Sequence, residues 1–184
     1  MSLEKLFDNT NTGLLECSYE ILKNIKRYGR PIFLCVGSDK FVMDSLAPMV
    51  GEILKKEYNI NAYVYGGLDY NINAENLSQA VNYIETIHAN SFVVLIDATL
   101  GESLGKVKIT SGSFAGLGRQ LPIRKIGTIS ILGIVGKKSR DFNLNSTRLK
   151  VVVDMSRFIA KACYLAVTKY DGEVTCVRQN LQNF

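Results

Sequence analysis

Two aspartates, Asp44 and Asp97, are the residues of this sequence best placed to do chemistry. Asp44 lies in the segment after an apolar run at residues 31–36, and Asp97 comes directly after five large apolar residues at 92–96. A charge beside a buried strand needs a specific partner, because burying an unpaired carboxylate is costly. If the two apolar runs are neighbouring parallel strands, both aspartates face one crevice at the carboxyl edge of the sheet, where ligands bind in such folds.

Paired carboxylates suit two kinds of chemistry. Sharing one proton, they act as general acid and base on a water molecule, because two like charges at short range push their pKa values apart. Left ionised, they hold a divalent metal ion, which polarises a carbonyl group and activates water. The residues alone leave both open. Structural roles also fit: Asp44 could be a helix N-cap, and Asp97 could accept hydrogen bonds from loop amides.

Further candidates for the site share predicted positions near the same edge of the sheet. The candidate substrate-binding residues are Ser38, Asp39, Thr99, Gly116, Gly118 and Ser130. Residues 111–119 hold enough glycine to let the backbone approach a ligand, although a surface connection would have the same composition. This segment lacks the Gly-Lys-Ser/Thr ending of a phosphate-binding loop.

The single histidine and the cysteines argue against nucleophilic catalysis. His88 ends a predicted helix that returns antiparallel to the strands, so it belongs at the opposite edge of the sheet. No serine or cysteine at the candidate site can therefore pair with a histidine. Cys35 falls inside a predicted strand, where a small core residue is expected. The cysteines lack close Cys-x-x-Cys spacing, which indicates packed thiols rather than disulfides or a zinc site.

Alternating strands and helices must position these residues. Apolar runs predict strands at 31–36, 61–66, 91–97, 106–110 and 128–135, and helical periodicity predicts helices at 14–28 and 46–58. Asn73 is predicted to cap a third helix, with Glu75 in its first turn. Asn145 or Ser146 is predicted to cap a long final helix. The order predicts an α/β three-layer sandwich, with a mostly parallel twisted sheet covered by helices on both faces.

Length and composition predict one domain over residues 1–184. We divide it into a leading helical segment (1–30), an α/β core (31–168) and a C-terminal tail (169–184), where Asp171 and Gly172 signal a turn. The net charge of +5 includes no basic run, so no nucleic-acid partner is expected. The sequence shows no signal peptide or membrane span, which predicts a cytoplasmic protein.

Several short blocks, in fixed order, resemble one family. They lie at residues 33–39, 44–51, 96–101, 121–122 and 129–135 and follow the pattern of the YyaC-type sporulation proteins. That family is similar to the spore germination protease and, more distantly, to hydrogenase maturation endopeptidases, which implies a phosphorylase/hydrolase-like fold. In the germination protease, two acidic residues are implicated in catalysis. The resemblance implies that they correspond to Asp44 and Asp97 of this sequence. Hydrogenase maturation enzymes bind nickel with acidic residues and a histidine, and His88 is predicted at the wrong edge to complete such a site. Where relatives often have Pro-Val-His-Ala, residues 71–74 here read Asn-Ile-Asn-Ala, so any role of that histidine is missing.

The resemblance implies a sporulation-associated, peptidase-like protein in the mother cell or forespore of an endospore former. Its substrate would be a protein or peptide, hydrolysed through the paired aspartates with or without a divalent metal ion. The alternative is a catalytically inactive homologue that acts as a binding or regulatory protein. A small-molecule or nucleotide hydrolase is a third hypothesis, based on fold alone. A homo-oligomer is compatible with all three.

Overall fold

The computed structural model describes residues 4–111, 129–137 and 147–182, with the side chains of the final helix described as far as Thr175. A 3-10 turn (Met43–Ser45) precedes the second helix, and a π-helical turn (Ile53–Glu57) follows it. The strands are β1 (Lys5–Phe7), β2 (Pro31–Cys35), β3 (Tyr63–Tyr65), β4 (Phe92–Leu100), β5 (Val107–Ser111) and β6 (Ile129–Gly136). The helices are α1 (Asn11–Tyr28), α2 (Leu46–Glu52), α3 (Leu77–Ile87) and α4 (Leu149–Gln182).

The sheet confirms the predicted architecture. Its strand order is β1-β5-β6-β4-β2-β3. The four strands β6, β4, β2 and β3 are parallel, whereas β5 runs antiparallel to β6 and β1 antiparallel to β5. The strand β1 was not predicted, because three residues are too few to show a period-two pattern.

Helices cover both faces of the sheet. On one face, α1, α2 and α4 bury Phe33, Ile96 and Ile131. On the other face, α3 packs with Leu34 and Leu95, which alternate with the first set along their strands. A strand covered on both sides reads as a continuous apolar run, and this is why β2 and β4 were evident from sequence.

Local signals set the ends of two helices. The Thr10 side chain accepts a 3.0 Å hydrogen bond from the amide of Gly13 and so caps α1, and Gly29, at φ 94°, ends it. Pro48 lies in the first turn of α2, where its missing amide proton leaves no bond unmade.

The ends of β4 and α4 differ from the prediction. The strand β4 continues three residues past Asp97, because β6 pairs with it as far as Gly136. The helix α4 continues through Asp171 and Gly172, which were predicted to form a turn, and the Asp171 side chain accepts hydrogen bonds from Arg30 (2.6 Å) and Asn61 (2.9 Å).

The third helix also begins later than predicted. The N-cap of α3 is Asn76, and Glu75 precedes the helix rather than lying in its first turn. The predicted caps of the final helix, Asn145 and Ser146, lie outside the described residues. Among the residues that are described, no helix combines the length and apolar character needed to cross a membrane.

Candidate active site

Asp97 lies where β2 and β4 part. The parallel pairing of these strands ends at Cys35 and Ile96, so Asp97 has a partner only on the other side, Leu132 of β6. After Cys35 the chain turns away into α2, whereas β4 leads to the antiparallel strand β5. Such a point of divergence at the carboxyl edge is where open α/β sheets bind ligands. The sequence prediction placed Asp97 at the end of a strand; the structure places it inside β4 but just past the end of β2.

Asp44 lies in the 3-10 turn that joins β2 to α2, and this turn contacts β4. The amide of Asp44 donates a 3.0 Å hydrogen bond to the carbonyl oxygen of Phe41, which shapes the turn. The N-cap of α2 is Ser45, so the proposed capping role of Asp44 was wrong. Its carboxyl group remains available at the edge of the sheet.

The two carboxyl groups influence one another. Burial raises the pKa of Asp97 to about 7; the amide of Ala98, which donates a 2.7 Å hydrogen bond to Oδ1, opposes the rise, and the negative charge of Asp44 adds to it. Burial also raises the pKa of Asp44, against a lowering contribution from the backbone amide of Ser38. Neither carboxylate has a Lys or Arg ion-pair partner within the described part of the chain. Burial without a cationic partner therefore favours the protonated form of Asp97 up to about pH 7.

Ser38 and Asp39 belong to the loop that carries Asp44. The amide of Ser38 donates a 3.1 Å hydrogen bond to the backbone carbonyl of Asp44, and Ser38 is buried. Asp39 is exposed and exchanges two hydrogen bonds with Asn71: the Asn71 side-chain amide donates to the Asp39 carboxylate (3.0 Å), and the Asp39 backbone amide donates to Asn71 Oδ1 (3.2 Å). The structure thus brings Ser38 against Asp44 and uses Asp39 to tie the loop down.

Asn71 is a positioning residue that the sequence prediction missed. Besides Asp39, it engages Asn76, whose side-chain amide donates a 2.9 Å hydrogen bond to its carbonyl oxygen. Next to it, the carbonyl of Ile72 accepts a 2.7 Å hydrogen bond from the amide of Gly37. The signal was available, since three asparagines in six residues are typical of a turn built by side-chain hydrogen bonds.

The other predicted residues are placed less favourably. Thr99 lies on β4 two residues beyond Asp97, half-buried and on the same face of the sheet. Ser130 is fully buried in β6, where it pairs with Leu95. It therefore lies two residues further from the carboxyl edge than Leu132, the partner of Asp97. Gly116 and Gly118 lie outside the described residues.

His88 takes no part in the candidate site. It follows α3 just before β4 begins, and its Nε2 lies 2.7 Å from the hydroxyl of Tyr65. Its ring also packs on Tyr63 at the start of β3. Cys35 is a buried core thiol, and burial raises its pKa to about 12, which removes it as a nucleophile. Both sequence interpretations agree with these positions.

The two carboxylates limit which cation could bind. Within the described ranges, no three His, Cys, Asp or Glu side chains come together to hold a metal ion. Two carboxylates suit a hard cation such as Mg²⁺, which keeps much of its water shell. Nickel prefers nitrogen ligands, and Asn73 is engaged within its own turn. Its Oδ1 already accepts a 2.9 Å hydrogen bond from the amide of Glu75.

Comparison with known proteins assigns the family. The chain belongs to the family described as "Protein of unknown function (DUF1256)", whose model matches residues 7–162. It is 36% identical over 146 residues to an uncharacterized protein, YyaC, of Bacillus subtilis (strain 168), covering 76% of this chain and 71% of that protein. The resemblance predicted from the sequence blocks is thereby confirmed.

Among solved structures, the fold is similar to a [NiFe] hydrogenase maturation protease, HycI, from Thermococcus kodakarensis KOD1. The TM-score is 0.47 at 17% identity, covering 78% of this chain and 98% of that one.

Proposed function

We propose that this protein is a peptidase-like hydrolase that cleaves a protein or peptide with water activated by Asp44 and Asp97. The observation that carries the proposal is the placement of Asp97 just past the end of β2, on the strand that contacts the turn presenting Asp44. Two half-buried carboxyl groups whose charges interact are an arrangement suited to acid–base work on water.

The proposed roles follow from the different surroundings of the two groups. Asp97 is the more deeply enclosed, with a pKa of about 7, so it holds the shared proton. Asp44 acts as the base and takes a proton from a water molecule as the water oxygen attacks the peptide carbonyl carbon. Asp97 gives its proton to the carbonyl oxygen, whose negative charge is thereby neutralised. The C–N bond then breaks as the leaving amine takes a proton from Asp44, and a proton returns to Asp97 when the carbonyl re-forms.

A metal-assisted form of the same reaction uses the same two side chains. A hard divalent cation held by Asp44 and Asp97 would polarise the carbonyl group and lower the pKa of a bound water. Binding it requires Asp97 to lose its proton, so cation affinity would rise with pH through about 7. Calorimetry with Mg²⁺ or Mn²⁺ in buffers of different ionisation enthalpy measures that proton release.

The cellular setting is part of the same proposal. The resemblance to YyaC-type proteins, supported by the relative in Bacillus subtilis, favours a role in sporulation in the cytoplasm of an endospore former. The substrate would then be a protein present in the mother cell or forespore.

The test is cleavage of a proteome-derived peptide library, read by mass spectrometry. We expect the wild-type protein to produce new termini. Asp44→Asn and Asp97→Asn should each lower the rate by about a hundredfold or more, because general acid–base catalysis contributes on that scale. Glu16→Gln, which changes an exposed carboxylate on α1, is the control and should stay within about threefold of wild type. A double variant, Asp44→Asn with Asp97→Asn, that cleaves at the wild-type rate would refute the mechanism.

A second function, binding without catalysis, is favoured by one specific observation. The resemblance implies a histidine at the position of Asn73, whose side-chain oxygen here accepts a hydrogen bond from the amide of Glu75. If the protein has kept the fold but lost the reaction, the wild type should cleave nothing in the library at any pH, with or without Mg²⁺ or Mn²⁺. It should also retain the same protein partners as Asp97→Asn in a pull-down.

A further inference from the structure

A row of aromatic rings lies at the free edge of the sheet, away from the two aspartates. The His88 ring lies 4.4 Å from the Tyr63 ring and 5.8 Å from the Tyr65 ring, and Tyr65 lies 6.0 Å from Tyr83, all between ring centroids. Ile87, one helical turn beyond Tyr83, extends the same stripe of α3. We call these five residues the edge aromatic patch.

The patch is open to solvent. Tyr63 is 62% exposed, Tyr83 55% and Ile87 57%. Tyr65 and His88 are half-buried and hold one another through their 2.7 Å hydrogen bond, so the patch is rigid at its centre. Exposed large side chains that are contiguous, rather than scattered, mark interaction surfaces.

The part of the sequence that supplies the patch is acidic. Between Lys56 and Lys106 the sequence contains six acidic residues and no Lys or Arg, although the whole chain carries +5. This stretch supplies β3, α3 and β4, and it places the exposed carboxylates Glu75 and Glu85 before and on α3. Arg30, which precedes β2 beside the start of β3, is paired with Asp171 at 2.6 Å. A surface of this sign repels nucleic acid and anionic lipid and attracts cationic groups.

The strand beneath the patch also has a free edge. Within the described chain, β3 pairs with β2 on one side only. An extended polypeptide can add to such an edge through backbone hydrogen bonds while its side chains meet the residues above. Tyrosine rings attract the guanidinium and ammonium groups of Arg and Lys.

We infer that the edge aromatic patch is a docking surface for an extended polypeptide segment that carries Arg or Lys. The tyrosine faces and the acidic surroundings recognise the cationic side chains, and the free edge of β3 recognises the extended backbone. The inference does not depend on catalysis, because the patch lies at β3 and α3 whereas the aspartates lie between β2 and β4.

The probe is a labelled octapeptide of alternating Arg and Thr, with a Glu-Thr peptide of the same length as its charge-reversed counterpart. Fluorescence anisotropy should show binding of the Arg peptide that weakens as salt is added, and no binding of the Glu peptide. Tyr63→Ser should weaken binding about three- to tenfold, the loss expected from one cation–π contact and its buried ring area. Tyr19→Ser is the control, since Tyr19 is 63% exposed on α1, on the other face of the sheet, and should leave binding unchanged.

Circular dichroism and the midpoint of urea unfolding establish that each variant is folded. The inference is overturned if the Arg peptide fails to bind, if the Glu peptide binds equally well, or if folded Tyr63→Ser binds like the wild type. It is also overturned if sedimentation shows that Tyr63→Ser breaks a wild-type dimer while the peptide does not bind, because the occupant is then a second copy of this chain.

Discussion

Two regions of this molecule treat a buried carboxylate in opposite ways. At the contact between α1 and β1, burial raises the pKa of Glu20, but Lys5 at 2.6 Å and Lys23 at 3.3 Å outweigh it, so the pKa of Glu20 lies below its ordinary value. At the carboxyl edge of the sheet, burial raises the pKa of Asp97 and the neighbouring charge of Asp44 raises it further.

The difference separates a carboxylate whose charge is stabilised by cations from the one that we propose takes part in catalysis. Glu20 meets cations that favour its charged form and tie a strand to a helix. Asp97 lies near a second carboxylate, and its raised pKa lowers the free energy of unfolding as pH rises towards neutral. The variants below change one side of this comparison at a time.

The largest effect on stability is expected from Asp97→Asn. The unfolded chain releases this proton near pH 4 and the folded chain near pH 7. Between these values the unfolded state binds fewer protons, so the free energy of unfolding of the wild type falls as pH rises. The Asp97→Asn variant has no such titration. The difference in free energy of unfolding, variant minus wild type, should therefore increase by about 1 to 4 kcal/mol between pH 4 and pH 8. Urea unfolding at a series of pH values measures it. Parallel pH profiles for the two proteins would contradict the raised pKa of Asp97.

A smaller effect is expected from Gly37→Ala, which perturbs the turn that carries Asp44. Gly37 has φ 155°, and an added methyl group would meet the backbone carbonyl of Asp44. The turn must shift, at a cost of about 1 to 3 kcal/mol, and the shift should also reduce peptide cleavage. Gly172→Ala is the control, because a methyl group there meets nothing within 4 Å and should be neutral or stabilising. Equal stability and activity for Gly37→Ala and wild type would show that this turn tolerates displacement.

The smallest effect is expected from Glu20→Gln. Its lowered pKa means that the charged form stabilises the fold above about pH 4 and that this contribution disappears as pH falls through the folded pKa. The loss at neutral pH should stay below about 1 kcal/mol, because the pair is partly exposed and screened by solvent. The pH dependence therefore has the opposite sign to that of Asp97→Asn. A destabilisation as large at pH 3 as at pH 7 would show that packing, rather than charge, is what Glu20 supplies.

Much of the fold was predictable from apolar periodicity. The strands β2 and β4 are covered on both faces, so each is a continuous apolar run, and α2 follows a regular helical stripe. Where an element ends was less predictable, because it depends on partners distant in sequence. The strand β4 continues past Asp97 because β6 pairs with it, and in α4, which continues past Gly172, Asp171 accepts a hydrogen bond from the distant Arg30.

The candidate site was predictable in part. The order of strands and helices was enough to bring Asp44 and Asp97 to one edge of the sheet. The role of Asn71 was missed because it depends on hydrogen bonds between two loops, and Ser130 was placed too near the crevice because its depth depends on strand register. The stretch between Lys56 and Lys106, whose charged residues are all acidic, was also overlooked. The positive net charge of the whole chain does not reveal the negative charge of this part.

The most direct test of a shared crevice is titration of the Asp97 carboxyl carbon by NMR in the wild type and in Asp44→Asn. We expect a pKa of about 7 in the wild type and a lower value in Asp44→Asn, because the variant removes the neighbouring negative charge. A pKa of Asp97 that is the same in both proteins would mean that the two carboxylates do not act on one another, and the proposed catalytic pair would not exist.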